Sequence, residues 1–331
     1  MTTSLTLRLI DAHHHFWSGG GADQHAPDYL PPDYANDIAP LQSILRATVF
    51  AECNTHYDRS LPDDLQPVGE TRFIAEISAA YANAPIKFAA ATIGYADPFA
   101  TGTPYEKILD AQIAAANGRL RAIRTSTAWD EDQSLNYPIL RTSQHMLADP
   151  RFNGALHLLA ERDLAFEAWM YHPQLDELTA LAKAVPGCLI ILDHSGTPLS
   201  NGRYVGAEAA TWKLWTEAMA RLSEQPNVQV KIGGLAMPGT TADAARRARK
   251  IVRWTAVQLA ETIAPYLEHM ISHFGAERCI FESNFPVDRM TCDFDVLVEA
   301  YAMALASLDD DARDAVFTAN AARVYGIPLN T

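Results

Sequence analysis

The stretch "CLIILDH", residues 188–194, is a run of five apolar residues closed by an acid and a histidine. A run so short and so continuous, without alternation, suits a strand covered on both faces, as in a parallel sheet. Seven further runs of this kind occur, over 5–13, 46–52, 86–94, 118–126, 164–172, 227–234 and 278–283. Helical patterns separate them, over 69–83, 104–117, 149–162, 175–185, 206–224 and 258–274. Eight strand-like runs alternating with helices predict an α/β chain whose best fit is a closed, distorted (β/α)8 TIM barrel. A doubly wound open sheet is the competing arrangement. The barrel is expected to use residues 1–331 as a single domain, ending in two C-terminal helices over 293–308 and 309–327, with Asp309 as an N-cap. Glycines and prolines mark long loops after the first run and, over 235–256, after the seventh.

Composition narrows the function. In 331 residues, 48% are hydrophobic and 20% charged, as in a soluble enzyme with a full core. A net charge of −14 argues against nucleic acid as a partner. No run approaches the ~18 apolar residues of a membrane span, and no secretory signal precedes the first strand, so a cytoplasmic location is the default. The four cysteines are far apart with no C-x-x-C, which reads as buried free thiols. The expected partner is a small-molecule substrate; association into a homo-oligomer is compatible with the sequence.

A parallel barrel builds its site at the C-terminal ends of its strands. The first run ends in "DAHHH" (11–15), where alternation puts Asp11, His13 and His15 on one face and His14 on the other. The second ends in Glu52, the fourth carries Arg121 and Arg124, and the fifth ends at His172. The sixth finishes with Asp193 and His194, the seventh holds Lys231, and the eighth carries Glu282 and Asn284. Polar groups are costly to bury, so their gathering at strand ends is informative as a set. His-x-His on a strand aims two imidazoles at one point, half of a site for zinc or a similar ion, and His172 and His194 end two other strands. His14 reads as structural. His25, His56, His145, His157, His269 and His273 read as solvated or packed, with His56 the nearest to a strand end. Trp17, Tyr95, Trp129 and Trp169 are candidates for an aromatic wall. The basic cluster "ARRARK" (245–250) reads as a solvated helix face.

The motifs "DAHHHFW" (11–17), "LDHSGTP" (192–198), "VKIGGLAMP" (230–238) and "FGAERCIFESNFPVDR" (274–289) resemble the amidohydrolase-2 family, barrel hydrolases related to 2-pyrone-4,6-dicarboxylate lactonase and sugar-acid lactonases. The likeness continues to "ANAARVYGI" (319–327). It implies a barrel whose strand-1 pair is His13 and His15 and whose strand-6 histidine is His194. Metal-using relatives also draw a ligand from strand 5, where His172 stands. Family members commonly end strand 8 in G-S-D-W-P, and here Asn284 occupies the place of the Asp. An amide cannot take a proton from water. Glu282, two residues earlier on the same face, is the candidate replacement as base or ligand. Lactonase relatives place an arginine on strand 4 to grip a substrate carboxylate; Arg124 matches it, unless it is an ion-pair partner of Glu52. Ser126 and Asp130 stand where the pyrone enzyme has an asparagine and a second arginine, so its dicarboxylate substrate is not expected here.

The resulting expectation is hydrolysis of a cyclic ester or related carboxyl derivative of a small organic acid. Zinc would sit between His13, His15 and His172, although lactonases of this family also work without metal. His194 would stabilise the oxyanion or protonate the leaving oxygen, and Glu282, with Asn284 orienting the water, would manage the proton. Glu52, Arg124, Trp17 and Ser126 would contact substrate. Non-oxidative decarboxylation of an aromatic or unsaturated acid is the alternative, and a barrel that only binds is the third. Acyl-enzyme chemistry is disfavoured by the lack of G-x-S-x-G, and a Rossmann cofactor by the lack of G-x-G-x-x-G after the first strand.

Overall fold

A computed structural model describes residues 7–19 and 26–329 of the chain. His25 lies outside the described residues. The eight runs become strands in one sheet of order β1 to β8, every neighbouring pair parallel. They are β1 (Leu9–His14), β2 (Leu45–Ala51), β3 (Lys87–Tyr95), β4 (Leu120–Arg124), β5 (Ala165–Ala168), β6 (Ile190–Leu192), β7 (Val228–Lys231) and β8 (Cys279–Ile280). The ring closes where the chain beyond β8 meets β1: Asn284 N–H donates to the His13 carbonyl at 2.9 Å and His15 N–H to that of Phe285 at 2.8 Å. The eight-fold β/α barrel is therefore the fold, and the open sheet is excluded.

The outer layer is helical. After the short α1 (Pro31–Asp37) come α2 (Val68–Ala80), α3 (Tyr105–Ala115), α4 (Pro150–Ala160), α5 (Leu175–Ala184) and α6 (Glu208–Ser223). The loop after β7 carries α7 (Thr241–Ala248) before α8 (Ala256–Phe274), and α9 (Phe294–Ala304) follows β8. The last span divides into α10 (Asp310–Asp314), a π turn over Ala315–Ala319 and α11 (Asn320–Val324), with Asp309 capping Ala312 N–H at 2.8 Å. None of the described helices is long and apolar enough to cross a membrane.

Two apolar layers result from the period-two alternation of each strand. The large one, between sheet and helices, takes Phe166, Ile190, Leu192, Val228, Val230 and Cys279. The small one fills the barrel floor with Ile10, Ala12, Ala122, Ala165, Ile191 and Ile280. Tyr325, from the turn after α11, joins that floor and plugs it from below. Two residues on from the floor, the same alternation aims Arg124, Glu167, Asp193, Lys231 and Glu282 inward, all buried. The fold thus sets a charged layer directly on an apolar floor.

Candidate active site

The first strand does not keep the predicted parity. Its pairing with β2 shifts between Asp11 and His14, a bulge that lets three residues of β1 face two of β2. Asp11 therefore turns outward, accepting from Tyr34 Oη at 2.7 Å and from Ser283 N–H and Oγ at 2.8 and 2.6 Å, a clamp across the barrel seam. Burial pushes Asp11 up to about 6 against those bonds. His14 also faces outward, bonded through Nε2 to Thr48 Oγ1 at 2.8 Å. His13 and His15 face the barrel mouth side, so the alternation holds for the pair and fails for Asp11.

His13, His15 and His194 form a contiguous group, with ring centroids 4.9 Å apart for His13–His15 and 4.6 Å for His13–His194. Their protonation follows from their partners. His15 Nδ1 lies 2.9 Å from the Ala51 carbonyl, which can only accept, so Nδ1 carries the proton and Nε2 is left with its lone pair. Burial, then the charges of His13 and Arg124, hold the His15 pKa well below its ordinary value. His194 Nδ1 lies 2.8 Å from Glu282 Oε1, which also accepts the His194 backbone N–H at 3.0 Å. Burial opposes the Glu282 charge, but His194 and His13 beside it bring the carboxyl down to about 2. An ionised Glu282 fixes the Nδ1–H form of His194, leaving Nε2 free.

The charged layer beneath is tightly paired. Arg124 Nε donates to Glu52 Oε1 at 2.8 Å, Nη2 donates to the Glu52 carbonyl, and Nη1 lies 3.3 Å from His13 Nε2 and 3.6 Å from Asp193. Lys231 Nζ sits 2.7 Å from Glu167 and 3.1 Å from both Asp193 and His13 Nδ1. Burial opposes ionisation of Asp193, yet Lys231 and His13 hold its carboxyl well below the usual range. Tyr325 Oη donates to Glu167 Oε1 at 2.6 Å from the floor. Four buried carboxyl groups (Glu52, Glu167, Asp193, Glu282) face only two permanent cations, Arg124 and Lys231.

Above this layer opens a cavity of about 860 Å³. His15, Glu52, Arg124, His194 and Asn284 line its base, and Trp17 and Trp169 its walls. An amidohydrolase family profile (Amidohydro_2) matches residues 10–327, strand 1 to the plug. The chain belongs to the amidohydrolase family. Among its relatives, the L-fucono-1,5-lactonase of Burkholderia ambifaria is 28% identical over 338 residues, 98% of this chain and 97% of its own. An amidohydrolase of Burkholderia multivorans crystallised with bound zinc superposes with a TM-score of 0.72 at 22% identity, over 97% of this chain and 100% of that one. A protein of Pseudomonas putida described as a putative 2-pyrone-4,6-dicarboxylic acid hydrolase gives 0.63 at 16% identity, over 98% and 100%.

Among the described residues of this amidohydrolase, two groups of side chains bring ligand atoms within 4.8 Å of one another: His13, His194 and Glu282, and His13, Glu167 and Asp193. The second already holds the Lys231 ammonium. The first fits a divalent ion: it pairs imidazole nitrogens with a carboxylate, and buried Glu282 Oε2 has only His13 Nδ1, another member of the set, beside it at 3.2 Å. A divalent ion there would also offset the excess of acid in the layer.

His172 does not join this set, which corrects the expected grouping of His13, His15 and His172. β5 ends at Ala168, and the turn His172–Gln174 carries the ring onto Tyr204 at 5.0 Å, with Nδ1 accepting from Leu199 N–H at 3.3 Å. Arg124 is not free for a substrate carboxylate, because Glu52 and its carbonyl absorb the guanidinium. Ser126 is buried away from the mouth, its Oγ 3.5 Å from Ala128 N. Asp130 pairs with Arg203 at 2.9 Å. Ser195 is buried and donates to the Gly233 carbonyl at 3.0 Å, which removes it as a nucleophile. His56 stacks on Phe73 at 3.6 Å, outside the cavity. In the basic cluster, Arg246 and Arg247 pair with Asp243.

Glu167 escaped the sequence reading, as did the roles of Asp193 and Lys231. The signal was present for Glu167 and Asp193, which stand two residues beyond the inward floor positions Ala165 and Ile191. Asn284, with φ 56°, is held by its Nδ2 bond to buried Asp288 Oδ1 at 2.9 Å. Glu70, at the start of α2, backs the mouth from outside, its Oε1 accepting from Cys53 and Thr55 N–H at 2.8 and 3.2 Å.

Proposed function

We propose that this amidohydrolase hydrolyses lactones with His194 as the base. The carrying observation is the Glu282–His194 pair at 2.8 Å, which leaves Nε2 as the free nitrogen of a ring at the mouth. Water oxygen bonds to the lactone carbonyl carbon as its proton passes to His194 Nε2. Glu282 holds the Nδ1–H and stabilises the imidazolium that forms, the role an orienting carboxylate has beside any catalytic imidazole. When the ring C–O bond breaks, that proton goes to the leaving oxygen and a hydroxy acid departs. Glu282 does not line the cavity, so it acts through His194 and does not meet water itself. The Asn284 amide, fixed by Asp288, offers its carbonyl oxygen to position the water, and neutral His15 adds a second acceptor.

His13, His194 and Glu282 would hold a divalent ion, for which zinc suits the donors best, and it would supply Lewis-acid polarisation of the carbonyl; because it would occupy a His194 nitrogen, it would replace the His194 base step and not accompany it. Decarboxylation is less well supported, since among the described residues each arginine that lines the cavity is already paired with an acid. We place the enzyme in the cytoplasm, where four buried free thiols fit a reducing compartment, and take the whole span as one working domain.

Lactone hydrolysis followed by acid release tests this reading. His194→Asn should lower kcat by about 10²–10⁴-fold. Glu282→Gln, which keeps a carbonyl acceptor for the Nδ1–H but loses the charge that stabilises the imidazolium, should lower kcat less than His194→Asn. A fully active His194→Asn variant would overturn the assignment.

A further inference from the structure

The cavity is much larger than a bare lactone ring, in the size range of sites that enclose drug-sized ligands. Its upper walls come from loops after β4 and β8, four strands apart and so on opposite sides of the barrel. Tyr137 and Ile139 follow β4 and Met290 follows β8; they are 54%, 47% and 68% exposed. Trp17 and Met237 continue the apolar surface inward. A surface of this kind around a cleft marks a ligand site.

The cations of the cavity are all answered within the protein. Arg124 is held by Glu52, as described. Arg253 Nη2 binds Asp293 at 2.6 Å and its Nη1 donates to the Arg289 carbonyl at 3.0 Å. Arg289 Nε lies 3.2 Å from Asp37. Among the described residues that line the cavity, every arginine has an acid partner. A substrate carboxylate would compete with Glu52, Asp37 or Asp293 for these guanidiniums, and hydroxyls set against Ile139 and Met290 would find no partner on those side chains.

We propose that the substrate is an uncharged lactone bearing an apolar alkyl or aryl substituent, with its ring at His15 and His194 and the substituent against Tyr137, Ile139 and Met290. This rests on the lactonase reading and goes beyond it in naming the substrate class.

The test compares δ-decalactone, unsubstituted δ-valerolactone, L-fucono-1,5-lactone and 2-pyrone-4,6-dicarboxylate as substrates of the purified protein. The pentyl chain of δ-decalactone should raise kcat/KM over δ-valerolactone by about tenfold or more. The double variant Ile139→Asn, Met290→Gln should raise the KM of δ-decalactone relative to δ-valerolactone by about fivefold, within what lost apolar contact predicts. A preference for the fuconolactone or the dicarboxylate, or a ratio unmoved by the double variant, would overturn the proposal. Binding of 6-pentylpiperidin-2-one and of piperidin-2-one, read by tryptophan fluorescence, separates the two readings. Preferential binding of the pentyl lactam with no lactone turned over would sink the lactonase reading and keep the ligand class. Turnover of lactones with no lactam preference would do the reverse.

Discussion

Arg124 shows how one side chain can serve stability while standing at a reactive site. Its guanidinium reaches Glu52 at 2.8 Å and approaches His13 and Asp193 within a buried layer at the base of the cavity. Arg124→Met removes one of only two permanent cations and leaves Glu52 uncompensated, which should destabilise the protein by about 3–5 kcal/mol in denaturant unfolding. An unchanged midpoint would mean the pair contributes nothing. At this scale the sequence was partly legible. His13, His15, His194, Glu52, Arg124 and Asn284 could be placed near one mouth because strand ends are easy to find. His172 was misplaced because "LAFEAWMYH" reads as one strand to its last residue, whereas the strand stops at Ala168. The lone Glu167 inside that run carried the better signal, since an acid flanked by apolar neighbours on a buried strand needs a cation opposite.

The elements are built to let particular side chains approach. Gly233 and Gly234 follow β7 where His194 and Glu282 converge. A Cβ on Gly234 would come within 2.5 Å of the His194 Cβ, and the residue sits at φ +68°. Gly234→Ala should cost about 2 kcal/mol or more, from backbone strain plus the clash. With far-UV circular dichroism retained, kcat should also fall as His194 is displaced. The start of α2 makes a second prediction. Burial, then the nearby Glu52 charge, pushes Glu70 up to about 8 from its ordinary 4.5. A folded pKa above the unfolded one favours the fold most below 4.5, and that advantage is lost as pH rises toward about 8. Glu70→Gln keeps the Oε1 acceptor for Cys53 and Thr55 but does not titrate. Wild type should therefore lose stability relative to the variant across that window, on the order of a few kcal/mol, read as denaturation midpoints on either side of it. A constant difference would show that Glu70 stays ionised. The strand order was readable from the eight runs, but the β1 bulge was not: nothing in "DAHHH" announces an extra residue, because a bulge depends on the partner strand.

For the whole molecule, the closed ring and its helical coat are what the alternating runs predicted, since each strand had to be covered on both faces. What no local pattern could supply is the meeting of distant segments: Lys231 with His13, Glu282 with His194, Tyr325 with Glu167, this last contact spanning 158 residues. Tyr325→Phe deletes the donor to a buried Glu167 oxygen and should cost about 1–3 kcal/mol in unfolding, with little change in KM because the ring still fills the floor. A large KM change would place Tyr325 in direct communication with the mouth. Tyr325 also has a consequence in time. A growing polypeptide exposes all eight strands before this tyrosine emerges, so the nascent barrel stands for a while with an open base and Glu167 lacking that partner. Catalytic competence on the ribosome should therefore arrive in a single late step, when the stopper seats, and partial products ending before it should be abundant targets for proteases however complete their sheet.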